Sequence, residues 1–89
     1  MSDDVAAAVS QLGNPKNWGH IAFTPRANGE SWTMIVTPKR YMNGDQVLTH
    51  AYDRTVDIPG GGGAGTVGAR EVLDWLSEEG LDYDVMGTI

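Results

Sequence analysis

One motif in the sequence has the residue types and spacing of a phosphate-binding loop. Gly63, Gly65 and Gly68 follow the pattern G-x-G-x-x-G, and Thr66 lies between the last two glycines. In dinucleotide-binding domains such glycines let the backbone approach a pyrophosphate, which rests at the N-terminus of the following helix. A first hypothesis is therefore that Gly63, Gly65, Thr66 and Gly68 bind a phosphate or a nucleotide.

The surroundings of this motif favour another interpretation. Five of the six residues from Gly60 to Gly65 are glycine, so the spacing arises almost automatically. The preceding strand pattern belongs to antiparallel hairpins, whereas the dinucleotide fingerprint requires a parallel βαβ unit. The chain is also too short for a doubly wound domain. We therefore predict that residues 59–65 are a flexible connector, and we keep the phosphate site as the alternative.

The C-terminal part of the chain carries all of its surplus negative charge. The formal net charge is −6, from 12 acidic and six basic residues. Residues 1–70 contain six acids and all six bases, whereas residues 71–89 contain six acids and no Lys or Arg. Such a surface repels phosphate backbones and attracts basic partners.

Several of these acids fall on one face of a predicted helix. At about 100° per residue, Glu71, Asp74 and Glu78 cluster opposite an apolar stripe that Trp75 borders. Like charges at such spacings destabilise a helix by a few tenths of a kcal/mol each, and no lysine compensates them here. The structural alternative is a solvated outer face. The functional interpretation, which we carry forward, is a docking surface for a basic protein, formed by Glu71, Asp74, Trp75, Glu78, Asp82 and Asp84.

The remaining polar residues form no recognisable catalytic or metal-binding pattern. His20 and His50 lie in different predicted strands and lack the spacing of metal ligands. No serine has the context of a nucleophile elbow, and the chain has no cysteine. We therefore predict a protein that is not an enzyme and that has no cofactor and no metal ion.

The only basic dipeptide is Lys39-Arg40, which Tyr41 follows. Basic residues beside an aromatic ring near a hairpin can bind a phosphate or stack on a base. They are also common at strand ends, where charge discourages edge-to-edge pairing of sheets. We favour the second interpretation.

The elements that must position these residues follow from periodicity and turn signals. Val5, Ala8, Val9 and Leu12 have helical spacing, with Asp3 or Asp4 as the expected N-cap and Gly13 as the stop. Three strand patterns follow, at residues 19–24, 31–37 and 46–57. Asn28-Gly29 and Asn43-Gly44 separate them, and Asn-Gly suits hairpin turns. The sequence thus predicts a three-stranded antiparallel meander.

A second helix is predicted from Thr66 to Glu79 and a last strand over residues 81–89. The fold class is then α+β in a single domain, residues 1–89, with the order α-β-β-β-α-β and both helices on one face of the sheet. The last strand could pair with a second copy and form a homodimer. The order of the first five elements is similar to that of double-stranded-RNA-binding domains, whose second helix begins with lysines. Here that segment offers only Arg70 before the acids, so nucleic-acid binding is not predicted.

Length and composition bound the remaining possibilities. No apolar run approaches the roughly 18 to 20 residues of a membrane helix, and the N-terminus is acidic where a signal peptide is basic. These features predict a cytoplasmic protein without a membrane segment. A small acidic chain without catalytic motifs is typical of inhibitors and of antitoxin-like, immunity-like or phage host-takeover factors.

Overall fold

The computed structural model describes residues 1–26, 31–60 and 67–86. Within these ranges the chain forms two α-helices, α1 (Asp3–Ser10) and α2 (Val67–Glu78), and two 3₁₀-helices, η1 (Pro15–Asn17) and η2 (Lys39–Tyr41). The same ranges contain the strands β1 (Trp18–Pro25), β2 (Trp32–Pro38), β3 (Met42–Asn43), β4 (Gln46–Val47), β5 (Arg54–Ile58) and β6 (Asp84–Val85). The predicted α+β fold class is confirmed.

Helix α1 buries the apolar stripe that its spacing predicts. Val5 and Val9 are buried, and Gly13, with φ +83°, turns the chain after the last helical residues. The N-cap position is Ser2 rather than an aspartate, and its carbonyl accepts the amide of Ala6 at 2.9 Å. Asp3 and Asp4 occupy the first turn instead, where negative charge is favourable next to the unpaired helix amides.

The three long strands form an antiparallel sheet. β1 pairs with β2, and β2 pairs with β5, so Phe23 lies opposite Met34, and Met34 lies opposite Val56. Since neighbouring positions in register share a face, Ile21 and Phe23 point to the same side as the apolar residues of β2. The Asn28-Gly29 turn predicted between β1 and β2 lies outside the described residues.

The third predicted strand is divided. Asn43-Gly44 does not connect β2 to the sheet's next strand. It closes a separate ribbon in which β3 pairs with β4, and Gly44 has the positive φ of +62° that such a turn needs. The chain then turns at residues 50–53, where the Asp53 amide donates to the His50 carbonyl, before β5 joins the sheet. The alternating pattern of residues 46–57 contained no signal for this second turn.

The last strand is shorter than the predicted 81–89. β6 pairs in parallel with β1, at Ala22↔Asp84 and Phe23↔Val85, and residues 87–89 lie outside the described part of the chain. The order of the main sheet is β5-β2-β1-β6, so β6 lies at one edge of a mixed sheet.

One face of this sheet packs against both helices. The core consists of the inward-facing residues of the strands together with Val5 and Val9 of α1 and Val72 and Leu76 of α2. Half-buried Trp75 and Tyr83 pack against its border. Among the described helices, none is long and apolar enough to cross a membrane.

Candidate partner-binding surface

Helix α2 presents two of the predicted docking residues to solvent. The helix packs through Ala69, Val72 and Leu76, which are buried at spacings of three and four residues. Asp74 and Glu78 lie one turn apart and are exposed. Arg70, one turn before Asp74, is the only basic residue of the helix and is also exposed. No basic side chain among the described residues lies within salt-bridge distance of the Asp74 or Glu78 carboxylate.

Glu71, by contrast, is bound within the fold. It is half-buried, and its Oε2 accepts hydrogen bonds from the Ser2 amide at 3.2 Å and from the Ser2 hydroxyl at 3.1 Å. Ser2 is the N-cap of α1, so the Glu71 carboxylate lies at the positive end of that helix. Its position gives Glu71 a structural role in joining the two helices.

Trp75 lies at the border between core and surface. It is half-buried, and its ring meets Trp18 edge to face, with ring centroids 6.0 Å apart. The Trp18 indole is itself fixed, because its Nε1 donates to the Leu12 carbonyl at 3.0 Å. Trp75 therefore belongs to the packing of α2 and leaves only part of its ring for a partner.

The chain after α2 is directed to the sheet edge by a glycine cap. Gly80 has a φ of +72°, and the Leu81 amide donates to the Leu76 carbonyl at 2.9 Å. This six-residue closure is the Schellman motif, which places a left-handed glycine directly after a helix. Leu81 then packs on the core, and the Tyr83 ring meets the Phe23 ring at 5.9 Å.

Asp82 and Asp84 line a groove beside β6, together with Asp45 from the turn between β3 and β4. The groove has a volume of about 490 Å³ and lies along the start of β1, before the residues that pair with β6. We call it the acidic groove. Lys39 borders it, and His20 Nε2 lies 2.7 Å from Asp84 Oδ2.

The open edge of the sheet adds apolar surface beside this groove. Val85 and Met86 are 39% and 53% exposed. The Met86 amide still donates to the Phe23 carbonyl at 2.7 Å, which continues the pairing with β1. Exposed apolar side chains bordered by charged residues are a common composition of protein interfaces.

The residues of the alternative phosphate site divide into two groups. Gly63, Gly65 and Thr66 lie outside the described residues. Gly68 is buried in the first turn of α2, and its amide donates to the Gly60 carbonyl at 3.2 Å. A Cβ at position 68 would overlap the carbonyl oxygen of Pro59. The glycine is thus required by packing, and its amide already has a partner.

Two members of the groove were not identified from the sequence. Asp45 directly follows the predicted Asn43-Gly44 turn, and His20 lies in a predicted strand without the spacing of metal ligands. The pairing of His20 with Asp84 spans 64 positions, and no local pattern carries that information. Within the described residues, no group of three or more His, Asp or Glu side chains is arranged to hold a metal ion.

The comparisons with known proteins found no relative of this chain: no protein family, no curated protein and no solved structure matches it significantly.

Proposed function

We propose that this chain is a non-enzymatic binding module that docks its acidic surface on a basic surface of a partner protein. The acidic surface consists of the exposed side chains Asp74, Glu78, Glu79, Asp82 and Asp84. One observation carries the proposal. These five carboxylates are all exposed, and residues 71–86 contain no Lys or Arg that could compensate their charge. Surface helices ordinarily mix both signs of charge.

A surface of this kind has two physical effects on binding. Its negative potential attracts a basic partner and raises the rate of encounter, most strongly at low ionic strength. The acidic groove offers carboxylates of Asp45, Asp82 and Asp84 to a lysine or arginine side chain that enters it. Val85 and Met86 supply apolar area that would be removed from water on docking.

The edge strand supports the same mode of binding. β6 lies at the end of the sheet, where a partner strand could add through backbone hydrogen bonds. A second copy of this chain is the other candidate for that edge. Two copies would bring their acidic surfaces close together, and the resulting repulsion favours a basic partner over a homodimer.

The proposed biological role is that of an inhibitor or modulator. A cytoplasmic antitoxin-like, immunity-like or phage host-takeover factor would act by covering a basic surface of its target. Such a role needs exposure, charge and a fixed shape, and no catalytic group.

The proposal is tested by affinity capture from a lysate of the native host, with mass spectrometry to identify the bound proteins. The test variant is Asp74→Lys with Glu78→Lys, two exposed positions that leave the core unchanged. The matched control is Asp3→Lys with Asp4→Lys, which makes the same change in net charge at exposed positions of α1. We expect wild type and control to capture the same basic protein and the α2 variant to lose it.

Two results would count against the proposal. If the α2 variant retains the captured protein, the acidic surface does not bind it. If both variants lose it equally while their circular dichroism spectra stay native, net charge alone is responsible and no docking surface exists. Capture should also weaken when salt is raised from about 0.05 M to 0.3 M, because exposed charges are then screened.

A further inference from the structure

A second cleft adjoins the acidic groove at Trp18 and Lys39, where the end of α1 and η1 meet the end of β2. Its volume is about 500 Å³. The buried apolar residues Leu12, Trp18 and Val36 form part of its wall. Clefts of this size are in the range that small organic ligands occupy.

The charged residues that line this cleft in the described part of the chain are all basic. They are Lys39, Arg40 and Arg54, and none of the described Asp or Glu residues lines the cleft. These are three of the chain's six basic residues. We call this site the cationic cleft. In a protein of net charge −6, half of the basic residues thus line one cleft.

The two arginines are the cations that distinguish the cleft, because Lys39 also borders the acidic groove. In the described residues neither Arg40 nor Arg54 has a carboxylate within salt-bridge distance. The Arg40 guanidinium lies 5.2 Å from the centre of the Tyr41 ring, which restrains it. The Arg54 side chain extends to Gly13, and a Cβ added at Gly13 would lie only 3.0 Å from Arg54 Nη1.

Two asparagines add neutral hydrogen-bond donors to the lining. The Asn14 Oδ1 accepts the backbone amide of Lys16 at 3.0 Å, so the orientation of this side chain is fixed and its NH₂ group remains a donor. Asn17 lies three residues further along, at the end of η1. A guanidinium group can donate bidentate hydrogen bonds to two phosphate oxygens, and amide NH₂ groups can donate to the remaining oxygens.

We propose that the cationic cleft binds the phosphate group of a small phosphorylated molecule. The arginines and asparagine amides would hold the phosphate, and the apolar wall would contact the organic part of the ligand. The cleft adjoins the acidic groove at Trp18 and Lys39 but shares none of its carboxylates, and no described residue of the glycine-rich segment lines it. A small ligand is favoured over nucleic acid because the surplus acids of residues 71–86 repel an extended phosphate backbone.

Phenyl phosphate is a suitable probe, because it combines a phosphate monoester with a flat apolar group. It is titrated into ¹⁵N-labelled protein while amide chemical shifts are recorded, with phenol as the uncharged control. We expect shifts around residues 12–18, 36–40 and 54, and none with phenol. Arg54→Gln and Arg40→Gln should each raise Kd about tenfold or more, as expected for a hydrogen bond to a charged group.

The matched control is Arg70→Gln, which removes an exposed cation of α2 outside the cleft and should leave Kd unchanged. The proposal is overturned if phenyl phosphate causes no shifts at millimolar concentration, or if Arg40→Gln with Arg54→Gln binds it as wild type does. Equal weakening by Arg70→Gln would indicate unspecific attraction of anions and would also overturn it. AMP and a ten-nucleotide oligothymidylate are titrated in the same way. Tighter binding of the oligothymidylate than of phenyl phosphate or AMP would overturn the proposal in favour of a nucleic-acid site.

Discussion

The substitution Gly68→Ala tests whether the glycine in the first turn of α2 is required for packing or for binding a ligand. An added Cβ would overlap the Pro59 carbonyl oxygen and would lie 3.1 Å from Cγ2 of Val5. The Pro59 obstacle is backbone, which cannot rotate away as a side chain does. Either α2 or the chain at residue 59 must therefore move, and the hydrogen bond from the Gly68 amide to Gly60 would lengthen.

The expected magnitude follows from two opposing terms. Overpacking of this kind costs about 1–3 kcal/mol, and a backbone obstacle places Gly68→Ala in the upper half of that range. Replacing glycine by alanine inside a helix by itself stabilises the fold by about 0.5–1 kcal/mol, because alanine loses less backbone entropy on folding. The net loss of stability is then about 2 kcal/mol, which lowers Tm by about 8–16 °C in a domain of this size.

Urea unfolding followed by circular dichroism measures this loss directly. Gly80→Ala is the control, because Gly80 has a φ of +72° and no neighbour within 4 Å of an added Cβ. It should lose about 1 kcal/mol from backbone conformation alone. If Gly68→Ala is as stable as wild type or more stable, the contact with Pro59 does not constrain α2 and the packing argument is refuted.

Two further substitutions test the core and a buried hydrogen bond. Leu76→Ala removes a fully buried side chain and should destabilise the fold by about 2–5 kcal/mol, whereas Leu48→Ala, at a position 62% exposed, should change stability by less than about 0.5 kcal/mol. Equal effects in urea unfolding would contradict the assignment of the core. Thr37→Val removes the buried hydroxyl that donates to Asp53 Oδ1 at 2.8 Å and should cost about 1–2 kcal/mol. Thr37→Ser keeps the hydroxyl and should cost less, and the reverse order would show that this hydrogen bond does not stabilise the protein.

The helices and the central hairpin could be predicted from local patterns. Val5 and Val9 in α1 and Val72 and Leu76 in α2 recur with helical spacing, and each pair is buried. The alternation of Ile21 and Phe23 indicated the inward face of β1 in the same way. Such a pattern identifies the apolar face of a single helix or strand. That face must be buried whatever the element packs against, so it can be predicted without knowing the tertiary contacts.

The third strand shows where local patterns are insufficient. Residues 46–57 alternate as one strand would, yet they form β4, a turn and β5. The division depends on contacts made elsewhere, such as the stacking of Tyr41 on Tyr52 and the hydrogen bond from Thr37 to Asp53. Side chains that meet only after folding leave no periodic signal in the sequence.

The sequence by itself determined the distribution of charge and the apolar faces of the helices. No fold can add a cation to residues 71–89, so their negative charge is a covalent property of the chain. Only the tertiary structure decided the surroundings of each carboxylate: Glu71 is half-buried and binds Ser2, whereas Asp84, which meets His20, and Asp74 are exposed. It also gathered Arg40 and Arg54 into one cleft. The physical reason is that exposure and hydrogen-bond partners arise from contacts between residues far apart in the chain, whereas charge and periodicity are local.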